Sequence, residues 1–193
     1  MNIFDIDIKD KNNCYYLFYN KDDEHIINYL TQASNKYKTN NILNKSFLNS
    51  KLTIKQNMRI IFEIYEINIL EFLKEIRISP TNNILNLTKN EMPLEVWQLF
   101  SFLIFSKLSD KKIIFTSFFV NLEASVFKES NYSNFLEAAR KVVESHKIIY
   151  ISQTPDFVKL LFFDRYYLLN KKGNIEFYNE AESFKKAAKI YEF

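Results

Sequence analysis

Residues 112–152, with the sequence KIIFTSFFVNLEASVFKESNYSNFLEAARKVVESHKIIYIS, decide the fold class of this 193-residue chain. Two apolar runs within it, Lys112–Phe118 and Lys147–Ser152, predict buried strands. Between them, Ser130–Ser145 has the spacing of an amphipathic helix. The inner face of that helix is predicted to carry Phe135, Ala138, Val142 and Val143. A strand, a helix and a second strand in this order predict a parallel crossover and hence an α/β fold.

On the N-terminal side of this segment, alternation and helical spacing predict two strands followed by helices. The strands are Ile3–Ile8, half-buried, and Cys14–Phe18, buried, joined by a hairpin. A helix from Asp22 to Lys36 and a surface loop at Thr39–Ser50 follow. Thr53 is suited to cap the next helix, which carries Met58, Ile61, Ile64 and Tyr65. A second helix at Leu70–Ile76 and a long apolar helix from Pro93 to near Leu108 complete this part.

On the C-terminal side, the sequence predicts a short helix, a hairpin and a closing helix. These are Pro155–Phe162, the strand pair Tyr166–Leu169 and Ile175–Tyr178, and Glu180–Tyr191. Gly173 supplies the positive φ in the hairpin turn.

Gly173 is also the single glycine of the chain, and its isolation excludes whole classes of nucleotide site. Loops that cradle phosphate groups need glycine, because their backbone takes positive φ and approaches the ligand closely. Neither GxxxxGK[ST] nor GxGxxG can be written with this sequence.

Charge and hydropathy indicate the cellular compartment of the protein and the kinds of partner that it binds. The formal charge of +3 is spread along the chain, so we expect no nucleic-acid partner. The lone Cys14 forms no intramolecular disulfide, which fits a reducing compartment. The longest apolar segment, Val96–Phe105, is far shorter than the roughly 20 residues of a membrane span. We therefore expect a cytoplasmic protein, without direct membrane insertion, that is either free or peripheral at the inner face of the membrane.

An ordered series of segments resembles the ATP-binding subunit of ABC transporters, and the last fifty residues are most similar to polysaccharide-export subunits. Phe4–Phe18 resembles the strand pair before the phosphate loop, and Leu52–Met58 resembles the "LTVREN" segment that leads into the helical subdomain. Lys111–Ala124 is similar to the Walker B strand and D-loop, and Ile151–Gln153 to the "ISH" of the switch histidine. Phe163–Leu169 with Lys172–Ile175 resembles the "CDRVIVL…KGKI" hairpin.

This resemblance implies an α/β fold with a P-loop-NTPase or ABC-ATPase-like core. The implied sheet is mostly parallel, with a truncated antiparallel part and a small helical subdomain. Residues 1–193 then form a single domain, in which residues 1–50 and 109–193 are the core and residues 51–108 are the helical subdomain.

Each diagnostic motif of the family is altered in this chain. The vestigial nucleotide pocket implied by the resemblance consists of Tyr19, Asn20, Asp22, Asp23, Glu24, His25, Thr116, Ser117 and Gln153. His25 stands at the phosphate-loop lysine, beside three carboxylates that repel phosphate. Thr116 and Ser117 replace the Walker B carboxylates, which hold magnesium and polarise the attacking water. Gln153 replaces the switch histidine, and Glu95 lies within Met92–Val96, where the signature motif falls.

The resemblance therefore implies a pseudo-ATPase with no cofactor, no metal and no catalytic residue, which works by binding protein. The implied partner is an ABC ATPase subunit, a membrane permease, or both, and homodimers and heterodimers remain open. The partner-binding residues implied by the docking region of the family are Phe47, Leu48, Met58, Glu95 and Trp97.

Several alternatives remain open on the sequence alone. Trp97, with Phe100, Phe102 and Phe105, also fits core packing. His25 fits an exposed histidine at a helix start, and His146 fits a loop residue before a strand. The whole chain also fits a soluble adaptor unrelated to transport, or an enzyme with a repurposed cleft that uses His25 with Asp22 or Glu24.

Overall fold

The apolar runs singled out in the sequence form neighbouring strands of one mixed sheet. The structure is a computed structural model that describes residues 14–18, 43, 47–109, 112–118, 121–128, 132–152, 163–169 and 175–190. Residues 14–18, 128, 169 and 175 are described by their backbone alone. The chain divides into two compact units, a sheet unit and a helical unit, in an overall α/β architecture.

Five described strands form the sheet unit in the order β2-β3-β1-β4-β5. The strands are β1 (Cys14–Phe18), β2 (Ile113–Thr116), β3 (Lys147–Ser152), β4 (Arg165–Leu169) and β5 (Ile175–Tyr178). β1 pairs in parallel with both β3 and β4, β2 pairs in parallel with β3, and β5 is antiparallel to β4. The predicted parallel crossover from β2 to β3 and the predicted C-terminal hairpin strands are therefore confirmed.

A helix covers part of this sheet through aromatic packing. The helix α5 (Ala181–Lys189), which confirms the predicted closing helix, packs on β4 and β5. Its buried Phe184 stacks on Tyr166, with the two ring centroids 5.3 Å apart. The Tyr166 hydroxyl donates to the carbonyl oxygen of Phe163 at 2.6 Å. Burial, with a smaller contribution from the charge of Asp164, raises the pKa of this phenol.

Four α-helices are described in the helical unit. They are α1 (Ile54–Ile64), α2 (Ile69–Glu75), α3 (Leu94–Lys107) and α4 (Ser133–Ser145). Three short 3-10 helices, Asn83–Asn86, Lys89–Glu91 and Ser125–Lys128, lie between them. Aromatic pairs join the helices: Phe62 of α1 meets Phe72 of α2 edge-on at 5.0 Å, and Phe100 of α3 meets Phe135 of α4 at 4.8 Å.

The start of α1 confirms the cap expected at Thr53. The Thr53 hydroxyl accepts from the N–H of Gln56, and the Gln56 side chain accepts from the N–H of Thr53, which makes a capping box. The buried Asn57 amide fixes the preceding loop: its oxygen accepts from the N–H of Asn49, and its nitrogen donates to the carbonyls of Asn49, Leu52 and Thr53. Leu52–Met58 thus forms the start of a helix that is held by side-chain hydrogen bonds.

Some details differ from the sequence prediction. On α4, Phe135 and Ala139 are buried, whereas Ala138, Val142 and Val143 are half-buried, so the inner face is rotated by one residue from the predicted one. On α1, Ile64 and Tyr65 are exposed, because Ile54, Met58 and Phe62 occupy the core side. The helical unit also contains residues 120–145, although the family resemblance predicts that they belong to the core.

Several predicted elements fall beyond the part of the chain that the structure describes. They are the strand Ile3–Ile8 with its hairpin, the helix from Asp22 to Lys36, most of the loop Thr39–Ser50, the helix Pro155–Phe162 and the turn at Gly173.

Helices α1 and α2 both end without a glycine. Glu66 follows α1 with φ 54° and Arg77 follows α2 with φ 56°, where a left-handed residue closes the helix. After α1, the N–H of Ile67 donates to the carbonyl of Phe62 at 2.8 Å, as in a Schellman motif. A left-handed backbone costs a residue with a Cβ about 1–2 kcal/mol, so this closure carries strain.

We therefore predict that Glu66→Gly stabilises the protein by about 0.5–1 kcal/mol, the relief of strain less the backbone entropy of glycine. Urea unfolding of dilute protein, followed by the fluorescence of the single tryptophan, Trp97, measures the effect. The matched control is Glu63→Gly, which makes the same chemical change within α1 and is expected to cost about 1 kcal/mol. Equal losses in the two variants would contradict the prediction.

Candidate functional site

The carboxyl ends of β1, β2 and β3 lie at one edge of the sheet, because the three strands are parallel and adjacent. Leu17 of β1 is opposite Ser152 of β3, and Thr116 of β2 is opposite Tyr150 of β3. Each of these strands therefore ends within about two residues of its neighbour along the sheet. We call this the carboxyl edge, defined by Phe18, Thr116 and Ser152.

The order of connections makes the carboxyl edge a topological switch point. After β1 the next described strand is β2, which lies two positions to one side of β1. After β3 the next described strand is β4, which lies on the opposite side of β1. The chain thus leaves two adjacent strands in opposite directions. In open α/β sheets, ligands bind at such a crevice outside the carboxyl ends of the strands.

Two residues of the predicted vestigial pocket fall within the described part of the chain, and both lie at this edge. Thr116 ends β2 and Ser117 follows it, so the structure places both at the carboxyl edge. Tyr19 follows β1 directly in the chain, and Gln153 follows β3 directly. Those two positions, together with Asn20, Asp22, Asp23, Glu24 and His25, lie outside the described residues.

Thr116 has a structural role at the carboxyl edge. Its side chain is buried, and its hydroxyl donates to the carbonyl oxygen of Phe118 at 2.6 Å while accepting from the N–H of Phe118 at 3.2 Å. These bonds close the turn that follows β2. The hydroxyl is neutral and bonded to its own loop, so it does not offer the charged oxygen that holds magnesium in a phosphoryl-transfer site. Ser117 is exposed.

Candidate metal ligands and histidines do not gather at this edge in the described part of the chain. Among the residues that the structure describes, no group of three His, Cys, Asp or Glu side chains is placed to hold a metal ion. His146 is half-buried and lies in the bend between α4 and β3, where the sequence places a loop residue. For Cys14 the structure gives the backbone, in β1, and not the side chain.

The five residues implied as partner contacts do not share one environment. Leu48, Met58 and Trp97 are buried, and the indole N–H of Trp97 finds no acceptor among the described residues. Phe47 is half-buried and packs edge-on against Phe105, with ring centroids 5.3 Å apart. Glu95 is exposed in the first turn of α3. Four of the five thus contribute to packing within the helical unit, and Glu95 alone of the five is fully available to a partner.

Packing also accounts for the aromatic residues of α3. Phe100, Phe102 and Phe105 are buried, as the packing alternative expects. Four large aliphatic side chains are exposed among the described residues of the helical unit. They are Ile60, Ile64, Leu70 and Leu94. On a helical wheel of α1, Ile60 and Ile64 lie on the side opposite to Ile54, Met58 and Phe62. The exposure of these two isoleucines could therefore have been predicted from the sequence.

Two comparisons with known proteins give no relative for this chain. The sequence matches no protein-family model, and it has no significant match among curated proteins. Within the described residues, every helix is too short or too polar to cross a membrane.

The bonding of Thr116 leads to a prediction about stability. Thr116→Val keeps the volume but leaves the N–H and carbonyl of Phe118 without these partners, so we expect a loss of about 2 kcal/mol. Thr116→Ser keeps the hydroxyl and removes one buried methyl group, so we expect a loss of about 1 kcal/mol. Denaturant unfolding of the two variants measures the difference. A valine variant as stable as the serine variant would show that the hydroxyl does not hold this turn.

Proposed function

We propose that this chain is a non-catalytic ABC-ATPase-like protein that binds another protein, as a subunit or adaptor of a membrane transport complex. One observation carries the proposal. The strands that resemble the phosphate-loop, Walker B and switch strands of the family are adjacent and parallel, and they end at one edge of one sheet. A nucleotide site of this family needs that arrangement, because its groups come from the ends of different strands.

The side chains at this edge support the non-catalytic part of the proposal. Thr116 and Ser117 stand where the resemblance expects two carboxylates, and the Thr116 hydroxyl is bonded to the turn after β2. Without a carboxylate there, magnesium loses a charged ligand and the attacking water loses its base. Asp22, Asp23 and Glu24 add negative charge to the segment that resembles the phosphate loop, which disfavours triphosphate binding.

The packing of the buried core supports the proposal that the chain binds another protein. The sheet and the helices are held by buried apolar and aromatic side chains, and burial of this kind does not depend on the polar residues of a pocket. A scaffold can therefore keep its fold and its docking surfaces after the chemistry is lost. The partners that the resemblance implies are an active ABC ATPase subunit, a membrane permease, or both.

The first experiment tests whether the chain binds nucleotide. We predict that millimolar Mg-ATP leaves the melting temperature of the full chain unchanged, whereas ligand at about 100 times its Kd would add about 2.7 kcal/mol of stability. An active ABC ATPase serves as the positive control. A shift that disappears in His25→Ala would favour the alternative of a repurposed enzyme cleft around His25 and would contradict the pseudo-ATPase proposal.

The second experiment identifies the proteins that bind this chain. We predict that tagged full-length protein isolated from its native host recovers an ABC ATPase or a membrane permease. Glu95→Lys should reduce that recovery, because Glu95 is exposed within the segment that resembles the signature motif. The matched control is Glu71→Lys, which changes an exposed acidic residue in the first turn of α2 at the same cost to the helix dipole. Recovery of soluble proteins alone would favour the adaptor unrelated to transport.

A further inference from the structure

The charges of α1 run against the dipole of the helix. Lys55 lies in its first turn and Arg59 at its middle, Glu63 lies in its last turn, and Glu66 follows its end. The N-terminus of a helix carries partial positive charge and the C-terminus partial negative charge, so this order is unfavourable in an isolated helix. Helices α2, α3 and α5 have the opposite order, with an acidic residue in the first turn and a basic residue in the last.

The residues of the helical unit that the structure describes do not compensate for this order. Lys55, Arg59, Glu63 and Glu66 form no ion pair with any residue that the structure describes, and all but the half-buried Lys55 are exposed. Arg59 and Glu63 are four residues apart, but a basic residue on the N-terminal side is the weaker orientation for such a pair. The four charges therefore lack a local electrostatic explanation.

The same helix exposes two large aliphatic side chains. Ile60 is 51% exposed and Ile64 is 70% exposed. They are four residues apart and so are neighbours on one side of α1. Arg59 and Glu63 immediately precede them in the chain, and Met58 and Phe62 are buried on the core side. The exposed face of α1, defined by Arg59, Ile60, Glu63 and Ile64, thus carries an apolar pair beside a charged pair, and in the charged pair the basic residue is N-terminal to the acidic one.

We propose that a second copy of this chain docks antiparallel on the exposed face of α1. In an antiparallel pair Arg59 of each helix comes near Glu63 of the other, and Ile60 of one copy lies near Ile64 of the next. The two helix dipoles also oppose each other, so the order that is unfavourable within one helix becomes favourable between two. A two-fold interface of this kind is self-complementary, as the commonest dimers are. This inference does not rest on the proposed function.

The small size of the exposed face of α1 limits the expected affinity of the dimer. Helix α1 has 11 residues and is therefore about 16 Å long, so the contact is well below the roughly 1,600 Å² of a standard stable interface. We therefore expect a weak dimer that forms at high protein concentration, dissociates on dilution, and weakens in high salt because its charges are exposed.

The apolar part is tested by sedimentation of the full chain over a range of concentrations. Ile64→Ser should weaken the dimer by about tenfold or more, because it removes an apolar contact on both sides of the two-fold axis. The matched control is Leu94→Ser on α3, where the side chain is 52% exposed, and it should leave the dimer unchanged. Equal weakening in both variants, or a monomer at every concentration of the unmodified chain, would overturn the proposal.

The charge pattern is tested by a swap within one chain. Arg59→Glu alone places like charges opposite each other in both symmetric contacts and should weaken the dimer about tenfold. The doubly substituted chain, Arg59→Glu with Glu63→Arg, should restore the dimer with the polarity reversed. Arg59 is exposed at the middle of α1, so loss of the dimer through misfolding is not expected, and circular dichroism checks this. A double variant that stays monomeric would overturn the antiparallel arrangement.

Discussion

Parallel pairing of β1 with strands on both of its sides is the constraint on which the rest of the structure depends. Parallel neighbours cannot be joined by a tight turn, so each pairing requires a long crossover connection. The chain between β1 and β2 carries α1, α2 and α3, and the chain between β2 and β3 carries α4. The helical unit is therefore built from the connections that the sheet requires. The same pairing brings the ends of β1, β2 and β3 to one edge, where the candidate site lies.

Local patterns in the sequence predict the described strands, the crossover, the Thr53 cap and the helices α1 to α5, because each depends on spacing or on one side chain. Tertiary packing decides what those patterns leave open. On α4, Ala139 is buried on the inner face, whereas the sequence predicts Ala138 there. On α1, Ile64 is exposed because Met58 and Phe62 lie on the side that faces the core. Family resemblance could mark Leu48, Met58 and Trp97 as possible contacts, but it could not reveal their burial, which depends on residues distant in the chain.

The candidate site shows how a scaffold and its chemistry separate. The sheet supplies a switch point at the carboxyl edge, yet Thr116 uses its hydroxyl to close the turn after β2 rather than to face a ligand. The sequence predicts the loss of charge at this position. It does not predict the bonding to Phe118, because a threonine at the end of a strand is equally compatible with a free hydroxyl. Scarcity of glycine acts elsewhere too, since Glu66 and Arg77 close helices in a conformation that glycine adopts without strain.

The position of β1 has a consequence for synthesis on the ribosome. Cys14–Phe18 is translated well before its two neighbours, Lys147–Ser152 and Arg165–Leu169. The centre of the sheet therefore waits until most of the chain has been translated, whereas α1 to α3 have their mutual contacts available much sooner. During that interval an apolar segment without its partners is open to misassembly, as incomplete sheets generally are. β1 is translated well before either strand that it pairs with, so nascent chains of this protein are expected to depend on chaperones that shield this segment.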